Sequence, residues 1–220
     1  MRTLVVAAGL ALVSLAAAQP VRSAPELAAA LQARYAAVRD FSADFVHRYR
    51  GGVLRKELTE RGTVLVKKPG RMRWTYSHPE KKVFVSDGRK IYSYVPEDRQ
   101  VIVAPVPEGD EAATSALFLA GKGDLTRDFT VALADAPGAP PQTWTLRCAP
   151  RRQESEYAWM LLTIDRTTLD LRSLVTVDAQ GGESTFVFTN VRQNIGLTDK
   201  AFQFDIPRGV DVINQTATVR

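Results

Sequence analysis

Leu65–Tyr76, LVKKPGRMRWTY, decides how this chain folds. Pro69-Gly70 is a turn signal, and around it apolar and charged residues alternate with a period of two. Alternate side chains of a strand leave opposite faces. Arg71, Arg73 and Thr75 therefore share one face, and Met72, Trp74 and Tyr76 the other. Four cations beside aromatics raise the question of a nucleic-acid platform. Such platforms need stacking rings and phosphate-binding cations on one surface. The pleat separates them here, so the stretch reads as a hairpin and no nucleic-acid partner is expected.

The same period extends in both directions. Upstream, FSADFVHRY places Phe41, Ala43, Phe45, His47 and Tyr49 on one side. Further alternating stretches cover Glu57–Lys67, Lys82–Ser86, Lys90–Val95, Gln100–Ala104, Phe129–Leu133, Thr143–Cys148, Tyr157–Ile164, Leu171–Asp178 and Ser184–Val191. Short turns such as Asp87-Gly88 and Gly181-Gly182 make neighbours antiparallel. Two stretches break the pattern. Pro25–Arg39 carries Leu27, Leu31, Tyr35 and Val38 on one helical stripe, and Thr114–Ala120 predicts a short apolar helix ending at Gly121. The expectation is mainly β with an α lid. One curved antiparallel sheet of about eleven strands forms an incomplete barrel covered by short helices. The lids are small for the sheet beneath them. Either they complete a solid core or they close over an apolar cavity, and pattern alone favours the solid core.

The chain has 220 residues, 45% hydrophobic and 24% charged, with a formal net charge of +5. That composition is globular, and the mild positive excess selects no partner class. Met1-Arg2, the apolar run Leu4–Ala18 and the small residues Ala16–Ala18 read as a cleaved secretory signal over residues 1–18. One domain over 19–220 and a periplasmic location are then expected. Cys148 is the single cysteine, so neither an internal disulfide nor a lipidation site behind the leader is available.

Catalytic motifs are scarce. No Walker loop and no Gly-x-Ser-x-Gly elbow occur, and the two histidines, His47 and His78, have no metal-ligand partners at usable spacing. No catalytic residue, metal or cofactor is assigned, and the chain is read as a non-enzyme. A hydrolase acting through His47 or His78 remains as an alternative.

Five motifs in order resemble the LolA family of periplasmic lipoprotein carriers: VRDFSADFVHRY (38–49), GTVLVKKPGRMRWTY (62–76), VSDGRKIYSYVPEDRQV (85–101), STFVFTNVRQN (184–194) and AFQFDIPRGVDVI (201–213). The resemblance implies an incomplete eleven-stranded barrel whose cavity holds the acyl chains of lipoproteins. It implies acylated lipoproteins, an inner-membrane lipoprotein-releasing ABC transporter and an outer-membrane acceptor as partners, and a monomeric carrier. Carried over residue by residue, Phe41, Phe45, Tyr49, Met72, Trp74, Leu117, Phe118 and Leu119 are expected to line the cavity. The family's latch arginine, just before the proline of its hairpin, corresponds to Lys68, which lacks the planar donor fork of arginine. A carrier or sensor of another lipid on the same fold is the closest alternative.

Overall fold

Alternating stretches joined by short turns build two antiparallel meanders. The computed structural model describes residues 23–52, 56–106, 119–121, 123–136, 138–152 and 157–215. The expected leader 1–18 and all but the end of the expected helix 114–120, including Leu117 and Phe118, lie outside these. Helix α1 (Ala24–Ala36) leads into β1 (Asp40–Arg50), β2 (Glu57–Lys67), β3 (Arg71–His78), β4 (Lys82–Asp87), β5 (Lys90–Val95) and β6 (Gln100–Pro105). Next come α2 (Leu125–Asp128), β7 (Phe129–Leu133), β8 (Thr143–Pro150), β9 (Trp159–Asp165), β10 (Leu171–Val177) and β11 (Glu183–Gln193). A 3-10 turn (Asp199–Phe202) and β12 (Asp211–Asn214) complete the chain.

The described strands form one twelve-stranded sheet in the order β12-β6-β5-β4-β3-β2-β1-β11-β10-β9-β8-β7. β1 pairs with β11, which joins the two meanders into one surface. β7 and β12 remain as separate edges, so the sheet curls without closing. The twelfth strand is an addition to the eleven read from the pattern. It comes from the tail and pairs in parallel with β6, Asp211 opposite Gln100 through Asn214 opposite Val103. Four residues carry too little alternation to announce a strand, and the partner supplies the register.

The concave face holds the main core. Phe41, Ala43 and Phe45 of β1, Val64 and Val66 of β2, and Met72, Trp74 and Tyr76 of β3 are buried there with Leu146, Leu162, Leu174 and Phe188. Phe45 lies opposite Gly62, whose missing side chain makes room for the ring. A Cβ on Gly62 would stand 2.8 Å from Phe45 Cζ and 2.1 Å from the Thr75 carbonyl oxygen. The face carrying Arg71 and Arg73 is not left to solvent. Arg73 donates to the carbonyls of Ala201 at 2.7 Å and Gln203 at 2.6 Å, and Lys67 pairs with Asp199 at 2.6 Å. The tail thus crosses the convex side, with Phe204 against Tyr92 and Tyr94.

Helix α1 begins at a capping box. The Ser23 hydroxyl accepts from the Glu26 amide, and the Glu26 carboxylate accepts from the Ser23 amide. Pro25 occupies the first turn, where its lack of an N–H leaves nothing unpaired. The helix buries Leu27, Ala28 and Leu31 and is tied to α2 by Gln32, whose side-chain oxygen accepts from the Leu125 amide at 3.0 Å. α2 itself was not legible in the pattern. It is one turn, held by Asp124 accepting from the amides of Thr126 and Arg127.

Candidate functional site

The concave face is the largest apolar surface that the fold assembles, and its aromatic side chains organise it. Phe45 packs edge-on against Trp74 at 5.1 Å and Tyr76 at 4.9 Å, and Trp74 meets Phe186 at 5.3 Å. Phe41 contacts Tyr35 of α1 at 6.4 Å, which carries the cluster up to the helical cover. Of the predicted lining residues, Phe41, Phe45, Met72, Trp74 and Leu119 are buried in one cluster. Tyr49 shares the β1 face but lies beyond His47, near the strand end, and is 39% exposed.

Among the described residues, a cleft under the cover lined by Tyr35, Val38, Phe41, Leu119, Phe188 and Val191 holds about 30 Å³. On the same measure one water needs roughly 10–15 Å³, so the cleft takes a water or two and no acyl chain.

Lys68 sits where the cover meets the sheet. Its Nζ donates to the Tyr35 carbonyl at the end of α1 and lies 3.5 Å from the centroid of the Tyr35 ring. A cation there also meets the negative end of the helix. The stem lies against Gly121. A Cβ on Gly121 would approach Lys68 Cδ to 2.7 Å, and Gly121 has φ +82°, so glycine is required on both counts. The backbone adds two ties: the Lys68 amide donates to Arg39 at 2.9 Å, and the Gly70 amide donates to Ala120 at 3.0 Å. The Tyr35 hydroxyl donates to the Leu119 carbonyl. The β2–β3 turn, α1 and the end of the 119–121 segment thus converge on Lys68 and Tyr35.

Burial strips water from the Lys68 ammonium and pulls its pKa from 10.5 to about 8. The amine can donate to the Tyr35 carbonyl with or without its charge. Burial also pushes the Tyr35 phenol well above 10.

The opposite end of the face is closed by a polar cluster. His47 Nδ1 lies 3.0 Å from Glu60 Oε2, and His47 Nε2 lies 2.7 Å from Ser184 Oγ. Lys82 pairs with the other Glu60 oxygen and lies 4.8 Å from the Tyr76 ring centroid. Burial lowers the His47 pKa, and Glu60 offsets part of that shift. A neutral imidazole fits the geometry when Nδ1–H donates to Glu60 and Nε2 accepts from the Ser184 hydroxyl. Serine, histidine and carboxylate stand here in the order of a hydrolase triad. A hydrolase also needs donors aimed at an oxyanion. Ser184 lies inside a strand paired on both sides, to β1 and β10, where backbone amides serve the sheet. Lys82 shares the carboxylate, which makes the cluster a compensated polar plug. His78 is exposed at the end of β3.

Sequence reasoning placed Tyr35 on a helical stripe and Gly121 at a helix end without a role at Lys68, and it did not join His47 to Glu60, Ser184 and Lys82. Glu60 carried a readable signal, because it alternates with Leu58, Gly62 and Val64 on the apolar side of β2. Cys148 is buried, and burial pushes its thiol up to about 12, which leaves it without nucleophilic character at neutral pH.

An open, curled sheet with an apolar concave face and a light helical cover defines a binding fold built around hydrophobic contact. The family described as outer membrane lipoprotein carrier protein LolA matches residues 36–205. An outer-membrane lipoprotein carrier protein of Chromohalobacter salexigens is 32% identical over 213 residues, covering 96% of each chain. Another from Nitrosomonas europaea is 33% identical over 154 residues, covering 69% of this chain and 71% of its own. An uncharacterized conserved protein of Thermus thermophilus shares the fold, with a TM-score of 0.55 at 15% identity over 86% of this chain and 99% of its own. The chain belongs to the LolA family.

Proposed function

We propose that this protein is a periplasmic chaperone that carries acylated lipoproteins from the inner to the outer membrane. It receives them from a lipoprotein-releasing ABC transporter and passes them to an acceptor. Acyl chains insert reversibly on the concave face beneath α1 and the segment ending at Leu119–Gly121, with Lys68 as the latch and without a chemical step. The observation that supports this reading is an apolar concave face covered by short helical segments instead of a second sheet. Helix α1 buries Leu27, Ala28 and Leu31 and packs Tyr35 against the core. Exposing its two leucines alone costs about 3–6 kcal/mol at about 1.5–3 kcal/mol per leucine. At about 0.8 kcal/mol per buried methylene, roughly four to eight inserted methylenes offset that cost. An acyl chain of about sixteen carbons leaves a surplus, yet remains exchangeable with a membrane that offers it the same burial. Among the described residues no helix is long and apolar enough to cross a membrane.

Depleting the protein from its own cells and fractionating the envelope tests this role. Lipoproteins bound for the outer membrane should accumulate in the inner membrane. Unchanged sorting would point instead to a carrier or sensor of another lipid.

A further inference from the structure

The indole of Trp74 is the one buried polar group on the concave face that the closed form leaves unpaired among the described residues. Trp74 is 5% exposed, and its Nε1 has no hydrogen-bond acceptor. A buried donor left unpaired costs about 1–3 kcal/mol, and native proteins rarely tolerate one without a use. The ring cannot turn to find a partner easily. It stands opposite Val64 on β2 and Phe84 on β4 and is wedged by Phe45, Phe186 and Phe188. His47, Glu60, Ser184 and Lys82 on this face pair among themselves in the plug. A second unpaired group, Ser42 Oγ, differs in both respects. It lies on the convex side of β1, and its hydroxyl rotates about a single bond.

We propose that the Trp74 indole N–H is the donor for the carbonyl oxygen of an ester- or amide-linked acyl chain bound on the concave face. The inference rests on the carrier reading and sharpens it. Phenylalanine would serve a purely hydrocarbon wall equally well, whereas tryptophan adds a donor within the same apolar bulk. The site then selects chains that bear a carbonyl near the polar end over bare hydrocarbon.

Indole ¹⁵N–¹H resonances of the intact mature protein, assigned through backbone connectivities, read this directly. Methyl palmitate, N-methyl palmitamide and hexadecane are the probes. The Trp74 resonance should move downfield with the ester or the amide and not with hexadecane; a response to only one carbonyl probe identifies the linkage. Trp74→Phe should weaken binding of the carbonyl probes about fivefold more than binding of hexadecane. No downfield movement with either carbonyl probe, or the same movement with hexadecane, overturns the assignment and places the N–H on a neighbouring ring face. If the unaltered protein binds none of the three probes, the carrier reading itself fails.

Discussion

Lys68→Leu leaves the sheet intact and opens its cover. Leucine keeps the apolar contact with Gly121 but cannot donate to the Tyr35 carbonyl or stand over the Tyr35 ring. A hydrogen bond from a charged group contributes about 1.5–3 kcal/mol, and part of that is already spent on desolvating the half-buried ammonium. A net loss of about 1 kcal/mol remains, which raises the open population roughly fivefold. The Gly70 amide is a local reporter, because it donates to Ala120 across the joint. Its hydrogen exchange should accelerate by that factor, apolar dye uptake should rise with it, and Lys68→Arg should remain closed. Unchanged exchange and uptake in Lys68→Leu would show that the backbone ties alone hold the cover.

Phe45→Ala should give the largest stability loss. The ring is 2% exposed, fills the space above Gly62 and touches Trp74, Tyr76 and Phe186. Truncating a buried phenylalanine costs about 3–5 kcal/mol. In a domain of this size that lowers the melting temperature by roughly 10 °C. Urea and thermal unfolding measure it. A loss below about 1 kcal/mol would mean that the concave face is loosely filled in the ligand-free protein, against the small cleft described above.

Much of the fold was readable because its strands are long enough to show their period. β1, β2 and β3 alternate over eight or more residues, and the hairpin at Pro69-Gly70 separates Met72 and Trp74 from Arg71 and Arg73 as the pleat requires. β12 and α2 span four residues each and depend on partners that lie far off in sequence. Site residues divided in the same way. Phe41, Phe45 and Trp74 follow from alternation, while Leu117 and Phe118 lie outside the described residues. What the opposite face does was not readable: Arg73 points away from the core, and only the fold shows that the tail lies over it. The Lys68 junction also joins three segments that are distant in sequence, so the partners of its head and stem emerge only in three dimensions. Whether the concave face was filled or empty depends on how rings from β1, β3 and β11 interlock, a packing property that composition does not carry.

The central claim is that the concave face takes up acyl chains, and native mass spectrometry tests it most directly. The mature protein should be recovered from the periplasm of its own cells without detergent. The account predicts a population with an acylated lipoprotein bound one to one, lost when detergent is added, and a bare population that takes up a fluorescent acyl probe. A protein that is always bare and takes up no acyl probe would contradict the account.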